Sequence, residues 1–331
     1  MWSFGNIKVS GKVVLGPMAG VTTLAYRTFM KRFGVDLLYT EMVSDCGVIY
    51  DSRNTRKYLE IGKNEHPIGV QLFGGKTDNL VKAIHKLQML GIPYDFLDIN
   101  LGCPMPKVMR NGAGASWLTR PEDLEAMMRQ VVNASDKPIS AKIRLGSDDK
   151  NINVRDVVSR LERAGVSLIA IHTRTTKQIY QGFARHEEIR DLGLKMKVPL
   201  VISGDINSID NAARALDITK ATAVMVARGG LGRPRFVAQL HQYFKNGERL
   251  PEATLKEQLS YLRQFAKQLV NLKGEEIAMK ELRGIGVHFL NGYAGMKPFK
   301  TQLIQITTFA EFDLLLKRIR YSMNNKALDN Y

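Results

Sequence analysis

Between residue 12 and about residue 240, eight short β-branched apolar runs alternate with amphipathic stretches, a pattern that few architectures satisfy. The runs are Val13–Gly16, Leu37–Glu41, Ile68–Leu72, Phe96–Asn100, Ile139–Ile143, Leu168–His172, Leu200–Ser203 and Ala223–Ala227. Helical spacing falls between them, over Leu24–Phe33, Leu80–Leu90, Pro121–Val132, Val154–Arg163 and Ile209–Leu216. Eight strand–helix units in about 230 residues predict an α/β chain folded as a (β/α)8 barrel. A doubly wound open sheet fits less well, because no Gly-x-Gly-x-x-Gly follows the first run. Residues 7–12 suit a short hairpin across the barrel bottom. Asn246–Pro251 reads as a polar linker, and beyond it Leu255, Leu259, Leu262, Phe265 and Leu269 fall on one helical stripe, as do Phe312, Leu315, Leu316 and Ile319. The expected division is a catalytic barrel over 1–245 and a small all-helical C-terminal domain over 246–331, whose pattern fits a helical extension wrapped on the barrel equally well.

A barrel of this kind gathers its chemistry at the C-terminal ends of the strands. Those ends are Gly16-Pro17-Met18-Ala19-Gly20, Glu41-Met42, Gln71, Asn100 leading to Cys103-Pro104, Lys142 with Arg144, and His172-Thr173-Arg174-Thr175. A core does not want such groups, so their convergence points to a site. Strands seven and eight end in Ser203-Gly204-Asp205 and Arg228-Gly229-Gly230-Leu231-Gly232, the loops that form the usual barrel phosphate site. Neutral Gln71 with cationic Lys142 and His172 suits a ring that carries carbonyls and becomes anionic on reduction, such as a flavin. Cys103, bracketed by Gly102 and Pro104, is the candidate proton donor or nucleophile. No metal is expected.

A net charge of +16 and a pI near 9.8 predict a polyanionic partner, most simply a nucleic acid. Residues 242–331 carry 14 Lys and Arg against 9 Asp and Glu, so the excess is spread along the chain. No apolar run approaches the ~20 residues of a membrane helix. The first residues have neither a basic nor a long apolar segment, so no signal peptide is expected. Cys46 and Cys103 are too few and too far apart for a disulfide framework, which suits a reducing cytoplasm.

With these segments in order, the chain resembles the tRNA-dihydrouridine synthases, most closely the bacterial B-type members. The resemblance is carried by residues 16–22, Thr40-Glu41-Met42, Val70–Gly74, Asp98–Pro104, Lys142–Gly146, His172–Thr175, Gly204-Asp205-Ile206 and Ala227–Pro234, with a weaker echo at Arg283 and Phe289–Gly292. It implies an FMN enzyme, reduced by NADPH or NADH, that saturates the C5=C6 bond of uridines in the tRNA D-loop. Hydride would pass from flavin N5 to C6, and Cys103 would protonate C5 from the opposite face. The catalytic set would be Cys103, Lys142 and His172. Pro17, Met18 and Ala19 would meet the flavin ring through backbone, Gln71 and Lys142 its polar edge, and His172 the ring itself. Ser203, Gly204, Asp205, Ala227 and Arg228 would hold its phosphate, while Asn100, Arg144 and Tyr180 would hold the uracil.

Cys46 is read as structural, in the helix after strand two. Arg53, Arg56, Lys57, Arg110, Arg233, Arg235, Lys297 and Lys300 are candidate contacts to tRNA phosphates. The expected state is a monomer. Two positions depart from the family pattern: Ser203 stands where Asn is usual, and Ala227 where Gly is usual. Two other readings share some of these features. A small-pyrimidine oxidoreductase of the dihydroorotate dehydrogenase kind would need neither the charge nor the helical tail, and a non-catalytic tRNA-binding protein would not need Cys103, Lys142 and His172 together.

Overall fold

The computed structural model describes residues 1–328. A hairpin, β1 (Trp2–Phe4) and β2 (Ile7–Val9), precedes eight parallel strands: β3 (Val13–Leu15), β4 (Leu38–Ser44), β5 (Ile68–Phe73), β6 (Phe96–Asn100), β7 (Ile139–Arg144), β8 (Leu168–His172), β9 (Leu200–Ser203) and β10 (Ala223–Val226). Each barrel strand pairs with its sequence neighbour, and β10 returns to β3. A parallel bridge between Val14 and Leu37, with Leu15 N–H donating to Leu37 O at 3.0 Å, closes the ring between β3 and β4. Nearly every strand residue is buried, as expected for parallel strands covered on both faces. The helices turn one stripe inward: Val154–Arg163 buries Val154, Val157, Val158 and Leu161 and leaves its arginines outside.

The hairpin spans Trp2 to Val9 rather than the expected 7–12, pairing Trp2 with Val9. It plugs the barrel bottom, with Phe4 edge-on to Phe96 at 5.1 Å between ring centroids. Strand β4 runs to Ser44, three residues past its expected end, and its register on β5 shifts between Tyr39 and Met42. The loop after β6 is not plain: it holds a turn of helix at Pro106–Met109 and a 3-10 helix at Gly114–Thr119.

After β10 come helices Pro234–Asn246, Leu255–Lys273, Glu275–Ile285, Lys297–Leu303 and Phe309–Leu328. The second begins at a capping box, Thr254 with Glu257. Its predicted stripe faces inward, but onto the barrel rather than into a separate core. Phe265 packs on Tyr26 and Phe29 of the helix Leu24–Lys31, with centroids 5.9 and 5.4 Å away, and stacks on Phe289 at 5.6 Å. Gln268 Nε2 donates to Ala25 O at 2.9 Å. The C-terminal helices thus form an all-helical region whose apolar stripe packs along the barrel. The last three residues of the 246–331 segment lie outside the described residues.

Candidate active site

The strand ends surround a cavity of about 700 Å³ at the C-terminal mouth. The structure brings Pro17, Met18, Ala19, Gln71, Asn100, Cys103, Lys142, Arg144, His172, Tyr180, Ser203, Gly204, Asp205, Ala227 and Arg228 to its walls. The loop after β3 is held from outside. Glu41 accepts from Gly20 N–H at 2.6 Å, and Thr22 Oγ1 accepts from Met18 N–H at 3.0 Å. Behind it the buried Arg27–Glu65 pair, at 2.8 Å, also donates to Thr22 O.

Around β5–β7 the side chains satisfy one another. Gln71 Nε2 donates to Asp98 at 2.7 Å, Asn100 Nδ2 donates to Gln71 Oε1 at 2.9 Å, and Asn100 Oδ1 accepts from Gly102 and Cys103 N–H at 3.1 and 2.8 Å. Arg144 gives Nε to Gly102 O and Nη1 to Thr175 O, both at 2.8 Å. Gln71, Asn100 and Arg144, expected to reach for a ligand, thus spend much of their hydrogen bonding inside the protein. Beyond Cys103 the chain passes Gly114 so closely that a Cβ there would sit 2.8 Å from Cys103 O, at a φ of +59°.

Electrostatics suit an acid at Cys103. Burial pushes its thiol up, against a Met105 N–H and the charges of Arg144 and Lys142, so it stays protonated at neutral pH. Burial, aided by Arg144, brings Lys142 down to about 8, and its Nζ finds no hydrogen-bond partner among the described residues. Burial and then four nearby cations push His172 well below the ordinary imidazole range, leaving it neutral. Arg174 Nη1 lies 3.4 Å from His172 Nε2. A guanidinium can only donate, so this contact assigns the imidazole proton to Nδ1.

The opposite wall, at β9 and β10, is open. No backbone hydrogen bond is made by the N–H groups of Gly204, Asp205, Arg228 or Gly229 among the described residues. A Cβ at Gly229 would lie 2.0 Å from Ile206 O, so this turn admits only glycine. Four N–H groups on two adjacent loops lining the cavity are thus available to an anion, the cradle arrangement that glycine-rich turns offer to phosphates. The Asp205 carboxylate is not part of that cradle. Despite its burial it is held below the usual carboxylate range by Ala184 N–H, at 2.7 Å, and by Arg174, at 2.8 and 2.9 Å. Ser203 Oγ makes no hydrogen bond among the described residues.

Tyr180 is half-exposed and lies over the site. The Arg228 guanidinium is 4.1 Å from its ring centroid and Arg144 is 5.6 Å away. Cys46 does sit in the helix after β4, where it is exposed and its Sγ accepts from Asn79 Nδ2 at 3.6 Å. Of the surface cations, Arg233 lines the mouth, Arg53, Lys57, Arg110 and Lys297 are exposed, and Lys300 donates to Asn291 at 2.6 Å. Arg56 and Arg235 are instead paired with Asp51 and Glu257.

The sequence reading did not single out Asp98, Arg174, Asn207, His288 or Asn291. Asp98 and Arg174 are buried charges inside motifs already noted, and for Asp98 the available signal was a charge amid an apolar strand. His288 and Asn291 reach the mouth from the tail, where Gly232 meets the His288 backbone, a contact no local pattern announces.

The model of the family described as dihydrouridine synthase (Dus) matches residues 14–326. A probable tRNA-dihydrouridine synthase 1 of Synechocystis sp. is 34% identical over 308 residues, covering 93% of this chain and 86% of that protein. The chain belongs to the dihydrouridine synthase family. A tRNA-dihydrouridine synthase B of Pseudomonas aeruginosa is 33% identical, with 90% of this chain and 89% of that protein covered. Because the dihydrouridine synthase match runs to residue 326, the helical tail belongs to the family unit along with the barrel. A solved structure of a variant of NCR from Zymomonas mobilis shares the fold, with a TM-score of 0.53 at 17% identity, over 77% of this chain and 92% of that one.

Proposed function

We propose that this dihydrouridine synthase family member is a tRNA-dihydrouridine synthase that binds FMN, is reduced by NADPH or NADH, and saturates the C5=C6 bond of D-loop uridines. When bound, the flavin supplies the hydride that reaches C6 of the uracil. The chain supplies the rest. Gly204, Asp205, Arg228 and Gly229 offer backbone N–H groups to the phosphate, with Ser203 Oγ and the Arg228 side chain beside them. Pro17, Met18 and Ala19 offer a backbone surface to the ring. Lys142 places an unpaired cation where negative charge collects on reduction, and neutral His172 donates from Nδ1. Tyr180, held by Arg228, and the remaining polar capacity of Asn100 and Arg144 hold the base. Cys103 keeps a proton for C5, and its thiolate is reprotonated from solvent, so one hydride and one proton are consumed per uridine.

The observation that carries the reading is that Cys103, on a loop braced by hydrogen bonds, lines the same cavity as the free N–H groups of Gly204, Asp205, Arg228 and Gly229, with burial pushing its thiol toward the protonated form. The cations on the mouth and tail suit tRNA phosphates, which position without specifying sequence. Among the described residues no helix is long and apolar enough to cross a membrane, and no cluster of three metal-ligating side chains occurs. The test is incubation of the purified protein with NADPH and unmodified tRNA, followed by nucleoside digestion. Dihydrouridine at D-loop positions is expected. Unchanged tRNA, or faster oxidation of orotate than reduction of tRNA, would reject the reading.

A further inference from the structure

Gln71, Asp98 and Ser140 are register partners on three adjacent strands, β5, β6 and β7, so their side chains lie in one row across the barrel interior. All three are fully buried. Ser140 Oγ donates to Asp98 Oδ1 at 2.5 Å, and Gln71 Nε2 donates to Asp98 Oδ2 at 2.7 Å. From Gln71 the bonds continue to Asn100 and end on the N–H groups of Gly102 and Cys103.

The direction of this chain is fixed at both ends. The backbone N–H groups can only donate, so Asn100 must turn Oδ1 toward them and Nδ2 toward Gln71. Gln71 must then present Oε1 to Asn100 and Nε2 to position 98, where only an acceptor fits. Asp98 is that acceptor, taking Gln71 Nε2 on Oδ2 and Ser140 Oγ on Oδ1, while burial pushes its carboxyl up to about 6. Remove the acceptor, and Gln71 is free to turn over. Its Nε2 would then oppose Asn100 Nδ2, and the Cys103 loop would lose the oxygen that holds it.

We propose that Asp98 is a positioning residue that holds the Cys103 loop in place through an obligately directional chain of amides, Gln71 and then Asn100. The proposal rests on the proposed function only in giving Cys103 a reaction to perform. It requires an acceptor at position 98, not a charge. An asparagine there would still accept from Gln71 with Oδ1 while Nδ2 donates to Ser140 Oγ. A glutamate at position 71 would set two acceptors face to face. Combining the two changes restores a donor–acceptor match, because the asparagine amide can turn its Nδ2 toward the glutamate.

The test is the rate at which iodoacetamide alkylates Cys103 in the protein as purified, read by peptide mass so that exposed Cys46 serves as an internal control. Asp98→Leu and Gln71→Glu should each speed Cys103 alkylation by about tenfold, as a loop loses one buried hydrogen bond. Asp98→Asn should stay within about twofold, and Asp98→Asn combined with Gln71→Glu should return most of the way to the parent rate. Cys46 should react equally in all. Parent-like alkylation in Asp98→Leu, an Asp98→Asn variant as fast as Asp98→Leu, or no recovery in the double variant would each overturn the proposal. Should Asp98→Leu fail to fold, Gln71→Glu and the double variant decide the matter. In parallel, tRNA-driven reoxidation of the reduced flavin should slow in the same order. Absence of that reoxidation in the parent protein would count against the proposed function and leave the alkylation result standing.

Discussion

The two walls of the mouth are built in opposite ways. At β5–β7 the hydrogen bonds close on themselves, from Ser140 through Asp98, Gln71 and Asn100 to the Cys103 loop. At β9–β10 the backbone N–H groups of Gly204, Asp205, Arg228 and Gly229 are left unspent. A closed network rigidifies, which suits a group that must deliver a proton to one carbon. An open one has already met the desolvation cost of its donors and gains most when an anion arrives. On the proposed function, one wall holds a reagent and the other receives a ligand.

The difference gives the walls separable failures. Cys103→Ala removes the acid without touching the cradle, so the variant should bind FMN and accept electrons from NADPH while uridine reduction falls by about 10²–10⁴-fold. Single-turnover assays with tRNA read the loss, and unchanged turnover would remove Cys103 from the chemistry. Gly229→Ala attacks the opposite wall, because its Cβ would lie 2.0 Å from Ile206 O. Flavin content after purification should drop sharply while Cys103 alkylation stays normal.

Lys142 belongs to β7, in the closed wall, yet its own Nζ stays outside that network among the described residues. Lys142→Met should slow flavin reduction by about 10²-fold, the usual cost of losing one electrostatic donor. Its pH dependence follows from a value of about 8: the ammonium is charged below that pH and lost above it. Flavin reduction should therefore decline as pH rises through about 8, and a rate rising over that range would exclude the role. Neutral His172 should contribute no limb between pH 6 and 8. The smallest effect belongs to Ser203→Asn, where a longer side chain beside the cradle should tighten FMN by about fivefold, one modest hydrogen bond. Equilibrium titration of flavin fluorescence measures it.

Legibility in the sequence followed the same division. All eight barrel strands were readable, because parallel strands buried on both faces must be apolar runs. That Cys103, Lys142 and His172 would meet at one mouth was readable too, since barrel strand ends converge there. What Gln71, Asn100 and Asp205 do there was not. Gln71 faces Asp98 only because β5 and β6 pair in that register, and Asp205 turns to Arg174 across a folded loop. The tail's stripe was visible as Leu259, Leu262, Phe265 and Leu269, but its docking on Tyr26 and Phe29 joins residues more than 230 apart. Local pattern carries type and period, while partners are settled by packing.

The central claim is best tested by mapping dihydrouridine, by mass spectrometry of tRNA fragments, in a strain lacking this gene and in the same strain carrying parent or Cys103→Ala protein. The account predicts loss of dihydrouridine at one or more D-loop positions, restored by the parent protein and not by Cys103→Ala. Dihydrouridine unchanged at every position in the deletion strain, or full restoration by Cys103→Ala, would contradict it.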